Sequence, residues 1–227
     1  MTTKLQALII SALILLFAAL PASAAMIFEN EDIKYELLNG PSMYGGNPTL
    51  IGTSLVFTFD EDYRAEQSGN NPPDNVFETL NFKVTILNEA LILGGVNVNE
   101  GGDWKITGGT SVSYDLGTVV TEFSGPNAGM PQQENSGNTE GAILPSATAW
   151  TASTSHELSG EGTMFLLSVE NNLSANSAGM LNNAWIDKKF ISITTVTTPV
   201  PVPAAVWMFG SVLATLGLFR RKEQAKA

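Results

Sequence analysis

Apolar and polar residues alternate along the middle of this chain, and this period of two constrains the fold more than any other feature. In the stretch TLNFKVTIL, residues 79–87, apolar residues occupy every even position from Leu80 to Ile86. Successive side chains of a strand point to opposite faces, so the pattern predicts a half-buried β-strand with one solvated face. Further segments rich in β-branched and aromatic residues predict strands of the same kind: 33–37, 54–59, 110–116, 117–123, 163–170 and 189–197.

Clusters of glycine and asparagine separate these segments. Pairs of glycines at 94–95, 101–102 and 108–109 predict turns, because glycine readily adopts positive φ. Many short strands with frequent turns favour an antiparallel sandwich or barrel. We predict a mostly β fold, an antiparallel β-sandwich of jelly-roll type. Two polar segments are predicted to be long surface loops, and one segment a short helix: 60–75 and 124–146 for the loops, 171–190 for the helix.

The N-terminal segment, residues 1–24, has the pattern of a signal peptide. Lys4 is followed by an apolar run over 5–20, and small residues end the segment at Ala24. This order predicts cleavage by signal peptidase between Ala24 and Ala25, with Met26 as the alternative first residue. An uncleaved N-terminal membrane anchor is the other interpretation, which the short run and the cleavage site disfavour.

The composition of residues 25–199 excludes several classes of site. The chain has no cysteine, so disulfides, thiolate metal sites and a cysteine nucleophile are excluded. An exported domain of this kind must be stabilised by its own core. The segment contains 21 acidic and 6 basic residues, a net charge of −15. Such a surface repels phosphate backbones, so we predict no nucleic-acid partner.

Catalytic and metal-binding patterns are scarce. His156 is the one histidine, and no nucleophile-elbow, phosphate-loop or dinucleotide motif accompanies it. The acidic run at 60–62 lacks the spacing of a calcium loop. A carboxylate pair for glycoside hydrolysis is open among so many acids, because sequence does not place two carboxyls across a sugar. We therefore predict a protein that is not an enzyme, with no cofactor and no metal.

Six aromatic residues are candidates for a sugar-stacking face, although packing in the core is the simpler role for most of them. They are Tyr44, Tyr63, Trp104, Tyr114, Trp150 and Trp185.

The C-terminal stretch VPVPAAVWMFGSVLATLGLFRRK, residues 200–222, predicts a membrane segment. Ala204 to Phe219 is a run of 16 residues without a charge. As a helix it spans about 24 Å, somewhat less than a hydrocarbon core of about 30 Å. Trp207 suits an interface, and the following basic residues are expected to remain cytoplasmic. We predict a transmembrane helix over about 204–219 with the β domain outside, a buried core helix being the alternative.

This tail resembles the PEP-CTERM sorting signal of Gram-negative bacteria, in its V-P-x-P-A variety. The resemblance rests on a proline motif, an apolar helix with glycines, and a basic end in this order. The sorting motif is Val200, Pro201, Val202, Pro203 and Ala204, and the basic stop is Arg220, Arg221 and Lys222. Val202 replaces the acidic residue usual between the prolines, which bears on the identity of the processing enzyme and the position of the cut.

The resemblance implies export across the inner membrane, retention as a single-pass precursor, and cleavage near the prolines by an exosortase-like enzyme. The mature form is then expected at the cell surface or outside the cell, in bacteria that make exopolysaccharide. We predict a signal peptide (1–24), a secreted β-sandwich (25–199) and a sorting signal (200–227). The expected function is that of a non-enzymatic surface or matrix protein. A carbohydrate-binding module, a glycosidase or lyase, and a plain single-pass membrane protein are the alternatives.

Overall fold

The computed structural model describes residues 26–39, 48–59, 63–69, 71–108, 111–143, 146–177, 179, 182–200, 208–209 and 211–212. These residues form thirteen β-strands: β1 (Met26–Glu29), β2 (Ile33–Leu37), β3 (Thr49–Ile51), β4 (Ser54–Thr58), β5 (Arg64–Ser68), β6 (Asp74–Ile86), β7 (Leu91–Ile106), β8 (Ser111–Glu122), β9 (Pro131–Glu140), β10 (Thr148–Glu157), β11 (Met164–Asn176), β12 (Asn183–Asp187) and β13 (Phe190–Pro199).

The strands form two antiparallel sheets. The first sheet has the order β1-β2-β6-β11-β8-β9. In the second sheet β7 is central. β12 and β13 follow one another along one of its edges, and β10 pairs with it over Thr148–Glu157. β4 pairs with β13, and β5 pairs with β12. β3 pairs with β4 at the edge of the sheet. The predicted antiparallel β-sandwich is confirmed.

The connections give eight of these strands the order of a jelly roll. One group is β6-β11-β8-β9 and the other is β4-β13-β7-β10. Among these eight strands, each one lies in the other group from the strand before it, except that β8 and β9 form a hairpin within one group. This hairpin and β10 therefore lie at the same side of the sandwich, where β9 and β10 are the outermost strands.

The core lies between the sheets and follows the predicted alternation. The even-numbered residues of β6 from Leu80 to Ile86 are buried, while Asn81, Lys83 and Thr85 are only partly so. Phe82 packs against Phe57 of the second sheet, with ring centroids 6.1 Å apart. Burial of such large apolar side chains is the main source of stability in a chain without disulfides.

Two of the predicted glycine turns are wrong. Residues 94–95 and 100–103 lie inside β7, with a register shift against β13 opposite Val196 and Thr197. The glycines are there because neighbouring backbone approaches closely. A Cβ at Gly95 would lie 2.8 Å from the carbonyl oxygen of His156, and one at Gly102 would lie 1.9 Å from that of Asp187. A residue type that indicates a turn serves here to bring strands together.

Both predicted long loops contain strands, and so does the predicted helix. Residues 131–140 of the second loop form β9, and residues 64–68 of the first form β5. The described residues of 171–190 belong to β11, to β12, to the start of β13 or to extended connections, and none is helical. Segments 110–116 and 117–123 make one strand, β8, because Gly117 continues the pairing with β11.

Most residues in the predictions for the two ends of the chain lie outside the described residues. These include the signal peptide 1–24 with Ala24 and Ala25, the motif residues Pro201–Ala204, and the basic stop 220–222. Val200 is described, and its amide donates to the carbonyl of Ala90 at 2.8 Å. Four described residues of the tail, at 208–209 and 211–212, are helical and exposed. Among the described residues, no helix has the length and apolar character needed to span a membrane.

Candidate functional site

β9 is unusual among the strands because it is almost entirely polar. Its sequence, PQQENSGNTE, has no apolar residue after Pro131, and both of its faces are largely exposed. Among the strands of the described residues its pairing is with β8, from Pro131 opposite Thr121 to Glu140 opposite Val112. Amide, hydroxyl and carboxylate side chains therefore project from an ordered, solvent-facing strand at the edge of the first sheet.

A concave region, here called the polar hollow, lies on this hairpin. Its volume is about 530 Å³, and it is open to solvent over most of its extent, so a ligand would lie along the hairpin surface and would not be enclosed. The residues around it belong to β8 and β9 and are almost all polar: Ser113, Tyr114, Asp115, Asn135, Gly137, Asn138 and Thr139. Side chains alternate between the faces of a strand, so Tyr114 and Asn138 project from the inner face of the hairpin. The outer face offers the carboxamide of Asn135, the hydroxyls of Ser113 and Thr139, and the carboxylate of Asp115 as hydrogen-bonding groups.

Glycines on both strands keep the polar hollow open. Gly137 is opposite Asp115, and Gly117 is opposite Asn135. A Cβ at Gly137 would lie 2.5 Å from the carbonyl oxygen of Tyr114, and one at Gly117 would lie 3.1 Å from Oδ1 of Asn135. Side chains at these two positions would fill the floor, so the missing side chains allow a ligand to approach the backbone.

An aromatic pair borders the polar hollow on its inner side. The half-buried ring of Tyr114 stacks on Trp150 of β10, with centroids 4.5 Å apart and planes at 24°. Trp150 is buried and donates from Nε1 to the carbonyl of Asp187 at 2.9 Å. Burial and the nearby charge of Glu140 raise the pKa of Tyr114, so its hydroxyl stays protonated and can donate at neutral pH.

His156 lies outside the polar hollow, in a polar seam between β8 and β10. The polar sequence around it, TSHELSG, is typical of a solvated loop, but His156 is buried within β10. Its Nε2 is 2.7 Å from Oγ1 of Thr118, which donates to Thr154 at 2.9 Å. Within the described residues, the hydrogen-bond partner given for its ring is thus the Thr118 hydroxyl of the seam and not a carboxylate that would orient a catalytic base.

The aromatic candidates do not form a shared stacking face. Trp104, Trp150 and Tyr63 are buried in the core, as their alternative role predicted. Trp185 is half-buried, and the guanidinium of Arg64 lies over its ring at 4.3 Å. Tyr44 is outside the described residues, which leaves Tyr114 as the one of these six at a polar concave surface.

The acidic run 60–62, which lacks the spacing of a calcium loop, also lies outside the described residues. Within the residues that the structure describes, no three or more acidic or histidine side chains are grouped as metal ligands. Val200 of the sorting motif lies at the end of β13, far along the chain from the polar hollow. The structure thus does not bring the sequence-predicted sorting residues and the polar hollow into one described site.

Sequence reasoning missed the polar hollow because it assigned 124–146 to a loop. A signal was present, since QQENSGNTE has amide and hydroxyl residues at nearly every position and no proline after Pro131. An edge strand without apolar residues resembles a loop in composition, because neither of its faces must be buried. Only its pairing with β8 distinguishes β9 from a loop.

Comparison with known proteins gives no family. No protein-family model matches the chain, and no curated protein matches it. Among solved structures it is similar to the CBM22-1–GH10 modules of endo-1,4-β-D-xylanase 10B from Clostridium thermocellum, with 13% identity over 67% of this chain and 26% of that chain and a TM-score of 0.25. It is also similar to the CBM22-1 xylan-binding domain of Paenibacillus barcinonensis Xyn10C, with 17% identity over 78% and 98% of the two chains and a TM-score of 0.21. Eiger TNF from S. frugiperda matches with 9% identity over 62% and 95% and a TM-score of 0.25. These similarities are too weak to place the chain in the families of those proteins.

Proposed function

We propose that this chain is a non-catalytic, exported surface or matrix protein whose β-sandwich binds a polysaccharide at the polar hollow. The observation that carries the proposal is the composition and shape of that region. The outer face of the β8–β9 hairpin presents one carboxamide, two hydroxyls and one carboxylate around Gly137. Sugar hydroxyls donate and accept at once, and these groups match them in both roles.

The charge of the domain favours a neutral or cationic glycan over a polyanion. Residues 25–199 carry a net charge of −15, and Asp115 and Glu140 lie at or beside the polar hollow. A strongly anionic polymer would be repelled on approach. The ring of Tyr114 lies on the inner face of β8 and stacks on Trp150, so it supports the strand beneath the polar hollow.

The delivery route in the proposal follows from the two ends of the sequence. Signal peptidase cleaves between Ala24 and Ala25, and the tail holds the precursor in the inner membrane. An exosortase-like enzyme then recognises Val200–Ala204 and releases the domain to the cell surface or to the exopolysaccharide matrix. The resemblance of residues 200–222 to the PEP-CTERM signal supports this route.

The proposal that the domain binds a polysaccharide is tested with the exported chain purified in detergent. A glycan microarray of neutral, cationic and anionic polysaccharides identifies the ligand, and affinity electrophoresis then measures the dissociation constant. We expect Asn135→Ala and Thr139→Ala each to weaken binding by about tenfold, the value of one lost hydrogen bond. Asn99→Ala and Ser153→Ala are the matched controls, since these exposed residues pair on the outer face of the second sheet.

The result that contradicts the binding proposal is equally specific. Absence of any glycan bound by the folded wild-type chain overturns it, and so does binding that the two polar-hollow variants leave unchanged. Release of reducing sugar or of unsaturated ends from the bound glycan would instead support the glycosidase or lyase alternative.

The delivery half is tested by mass spectrometry of both termini of the protein made in a bacterium that has an exosortase. The expected N-terminus is Ala25, and the expected C-terminus is near Pro201–Pro203. An intact tail at steady state would favour the plain single-pass membrane protein. The matched control replaces Arg220, Arg221 and Lys222 by glutamine, which should change retention and processing but leave the N-terminal cut intact.

A further inference from the structure

Three polar side chains meet in the interior between the two sheets. Lys188 comes from the break between β12 and β13, Glu100 from the inner face of β7, and Asn171 from the inner face of β11. The side chains of Lys188 and Glu100 are each 0% exposed, and Asn171 is 0% exposed as well. This buried triad lies on the opposite face of the first sheet from the polar hollow, since Asn171 pairs with Leu116 next to Asp115, and the proposed function does not use it.

The lysine amine contacts both of the other residues. Nζ of Lys188 donates to the carboxylate of Glu100 and to the side-chain amide oxygen of Asn171. It also lies 5.0 Å from the centre of the Tyr63 ring. Oδ1 of Asn171 is bonded directly to Cγ, so the amine that donates to this oxygen lies one bond away from contact with the carbonyl carbon. Attack on Cγ would require the neutral amine to turn its lone pair from the oxygen towards that carbon.

The environment favours the uncharged forms that such an attack requires. Burial is the largest influence on both groups, lowering the pKa of Lys188 and raising that of Glu100. Their mutual attraction, and the charge of the neighbouring Glu78 on Lys188, act in the opposite direction. Transfer of a proton from the amine to the carboxylate gives a neutral nucleophile beside a carboxylic acid, and it removes two charges from a dry interior.

Two polar atoms of the triad are left without hydrogen bonds. Within the described part of the chain, Nδ2 of Asn171 and Oε1 of Glu100 have no partner although both are buried. An unpaired buried donor is costly, and native interiors contain few of them. A reaction that removes the amide nitrogen of Asn171 would remove this unpaired donor as well.

We propose that Lys188 and Asn171 form an intramolecular isopeptide bond, with Glu100 as the proton-transferring residue. The neutral Nζ attacks Cγ of Asn171, and the acid form of Glu100 donates a hydrogen bond to the carbonyl oxygen as negative charge develops there. Glu100 then passes a proton from Nζ to Nδ2. The new Nζ–Cγ bond forms, the Cγ–Nδ2 bond breaks, and ammonia leaves. No oxidant or cofactor is needed, and Glu100 ends in its starting state.

The bond would join the two sheets covalently. Asn171 lies in the middle of β11 in the first sheet, and Lys188 precedes β13 in the second. The chain contains no cysteine, so this linkage would take the place that a disulfide occupies in other exported domains. It closes a loop between residues 17 apart in sequence, and it survives reducing conditions.

The test is the mass of the full chain under denaturing conditions. We expect a mass lower than that of the sequence by one molecule of ammonia, after the termini are fixed by peptide mapping. Cleavage after methionine cuts at Met164, Met180 and Met208, which separates Asn171 from Lys188. The fragment 165–180 should remain attached to the fragment that begins at residue 181. Separate fragments with an intact Asn171 amide and a free Lys188 amine overturn the proposal.

Variants test the roles of Glu100 and Asn171, with a third variant as the control. In Glu100→Gln the two fragments produced by cleavage after methionine should be separate, and the chain should have the full mass of its sequence without loss of ammonia. The reason is that glutamine cannot transfer the proton. Asn171→Ala should do the same by removing the electrophile. Lys189→Met, which changes the exposed neighbouring lysine, should keep the fragments joined. Linkage that persists in Glu100→Gln contradicts the role of Glu100, and linkage that persists in Asn171→Ala contradicts the bond itself. Both readouts are made on denatured chain, but the variants must reach the folded state, which circular dichroism of each one verifies.

Discussion

Oγ1 of Thr118 lies 2.7 Å from Nε2 of His156, and this contact joins β8 of the first sheet to β10 of the second. The single hydroxyl proton of Thr118 is donated to Thr154 at 2.9 Å. Nε2 of His156 must therefore carry a hydrogen and donate it to Thr118. The seam is complete with a neutral imidazole, so protonation of His156 gains no hydrogen bond here.

The first prediction concerns the pH dependence of stability. Burial lowers the pKa of His156 below its ordinary value, although the charge of Glu134 acts in the opposite direction. The unfolded chain, with a histidine pKa of about 6.5, therefore binds this proton more readily than the folded chain. Stability from this residue is fully present above about pH 6.5 and is lost as the pH falls below it, by at most about 1.4 kcal/mol per pH unit.

The measurement is urea unfolding of the wild type and of His156→Gln between about pH 7.5 and 5. The variant should have a flatter pH dependence in the upper part of this range, above the ordinary carboxylate pKa values. Equal slopes for the two proteins would show that His156 titrates normally in the folded state.

The second prediction concerns Trp150, which stacks on Tyr114 and donates to the carbonyl of Asp187. Trp150→Phe keeps a ring but leaves that carbonyl without its donor, so we expect a loss of about 1–3 kcal/mol in the free energy of unfolding. Trp150→Ala should lose about 3–5 kcal/mol because it also creates a cavity. Trp185→Phe is the control for a half-buried indole and should lose about 1 kcal/mol or less, the value of its contact with Arg64.

The third prediction concerns two glycines of β7. A Cβ at Gly102 would lie 1.9 Å from the carbonyl oxygen of Asp187, so Gly102→Ala forces the backbones of β7 and β12 apart. We expect a loss of about 3 kcal/mol or more. At Gly94 the nearest atom is the methyl group of Thr198 at 3.3 Å, and we expect Gly94→Ala to cost about 1 kcal/mol or less. Thermal unfolding of the two variants in parallel checks the difference, and equal losses would contradict it.

The fourth prediction concerns the buried carboxylate of Glu122 at the end of β8. It accepts hydrogen bonds from the backbone amide of Ser159, at 3.1 Å, and from the hydroxyl of the same residue. Glu122→Gln should lower the free energy of unfolding by about 1–3 kcal/mol, because bonds to a charged acceptor become bonds to a neutral one. Glu161→Gln, at an exposed carboxylate nearby in sequence, should change it by about 0.5 kcal/mol or less.

A double-mutant cycle with Ser159→Ala separates this interaction from a general effect of charge. The coupling between positions 122 and 159 should be about 0.5–3 kcal/mol, as for other residues in direct contact. Simple additivity of the two single variants would mean that the carboxylate is stabilised by something other than Ser159.

The parts of the fold that the sequence predicted are those in which one strand face is buried. The alternation from Leu80 to Ile86 reports directly which side chains pack between the sheets, and β2, β4 and β13 follow the same rule. Gly95 and Gly102 misled the prediction because their role depends on the backbone of β10 and on the β12–β13 junction, which are distant in sequence. Local composition does not record such an approach.

The candidate sites were harder to predict for two different physical reasons. Asn135 and Thr139 lie on a strand that buries neither face, so no hydrophobic period marks it. Lys188 and Glu100 have the opposite difficulty, because charged residues are normally assigned to the surface and here are fully buried. Their partnership appears only when segments 88 residues apart in sequence are placed side by side in the second sheet.

The position of β13 has a mechanical consequence. β13 ends at Pro199, and it is hydrogen bonded to β7 along its whole length and to β4 over Phe190–Thr194. Tension applied to the chain beyond residue 200 acts parallel to this strand, while its ladder bonds run perpendicular to it. The bonds therefore share the load in shear and must yield together. A domain tethered from this end resists extraction by flow better than one whose terminal strand can be unzipped bond by bond.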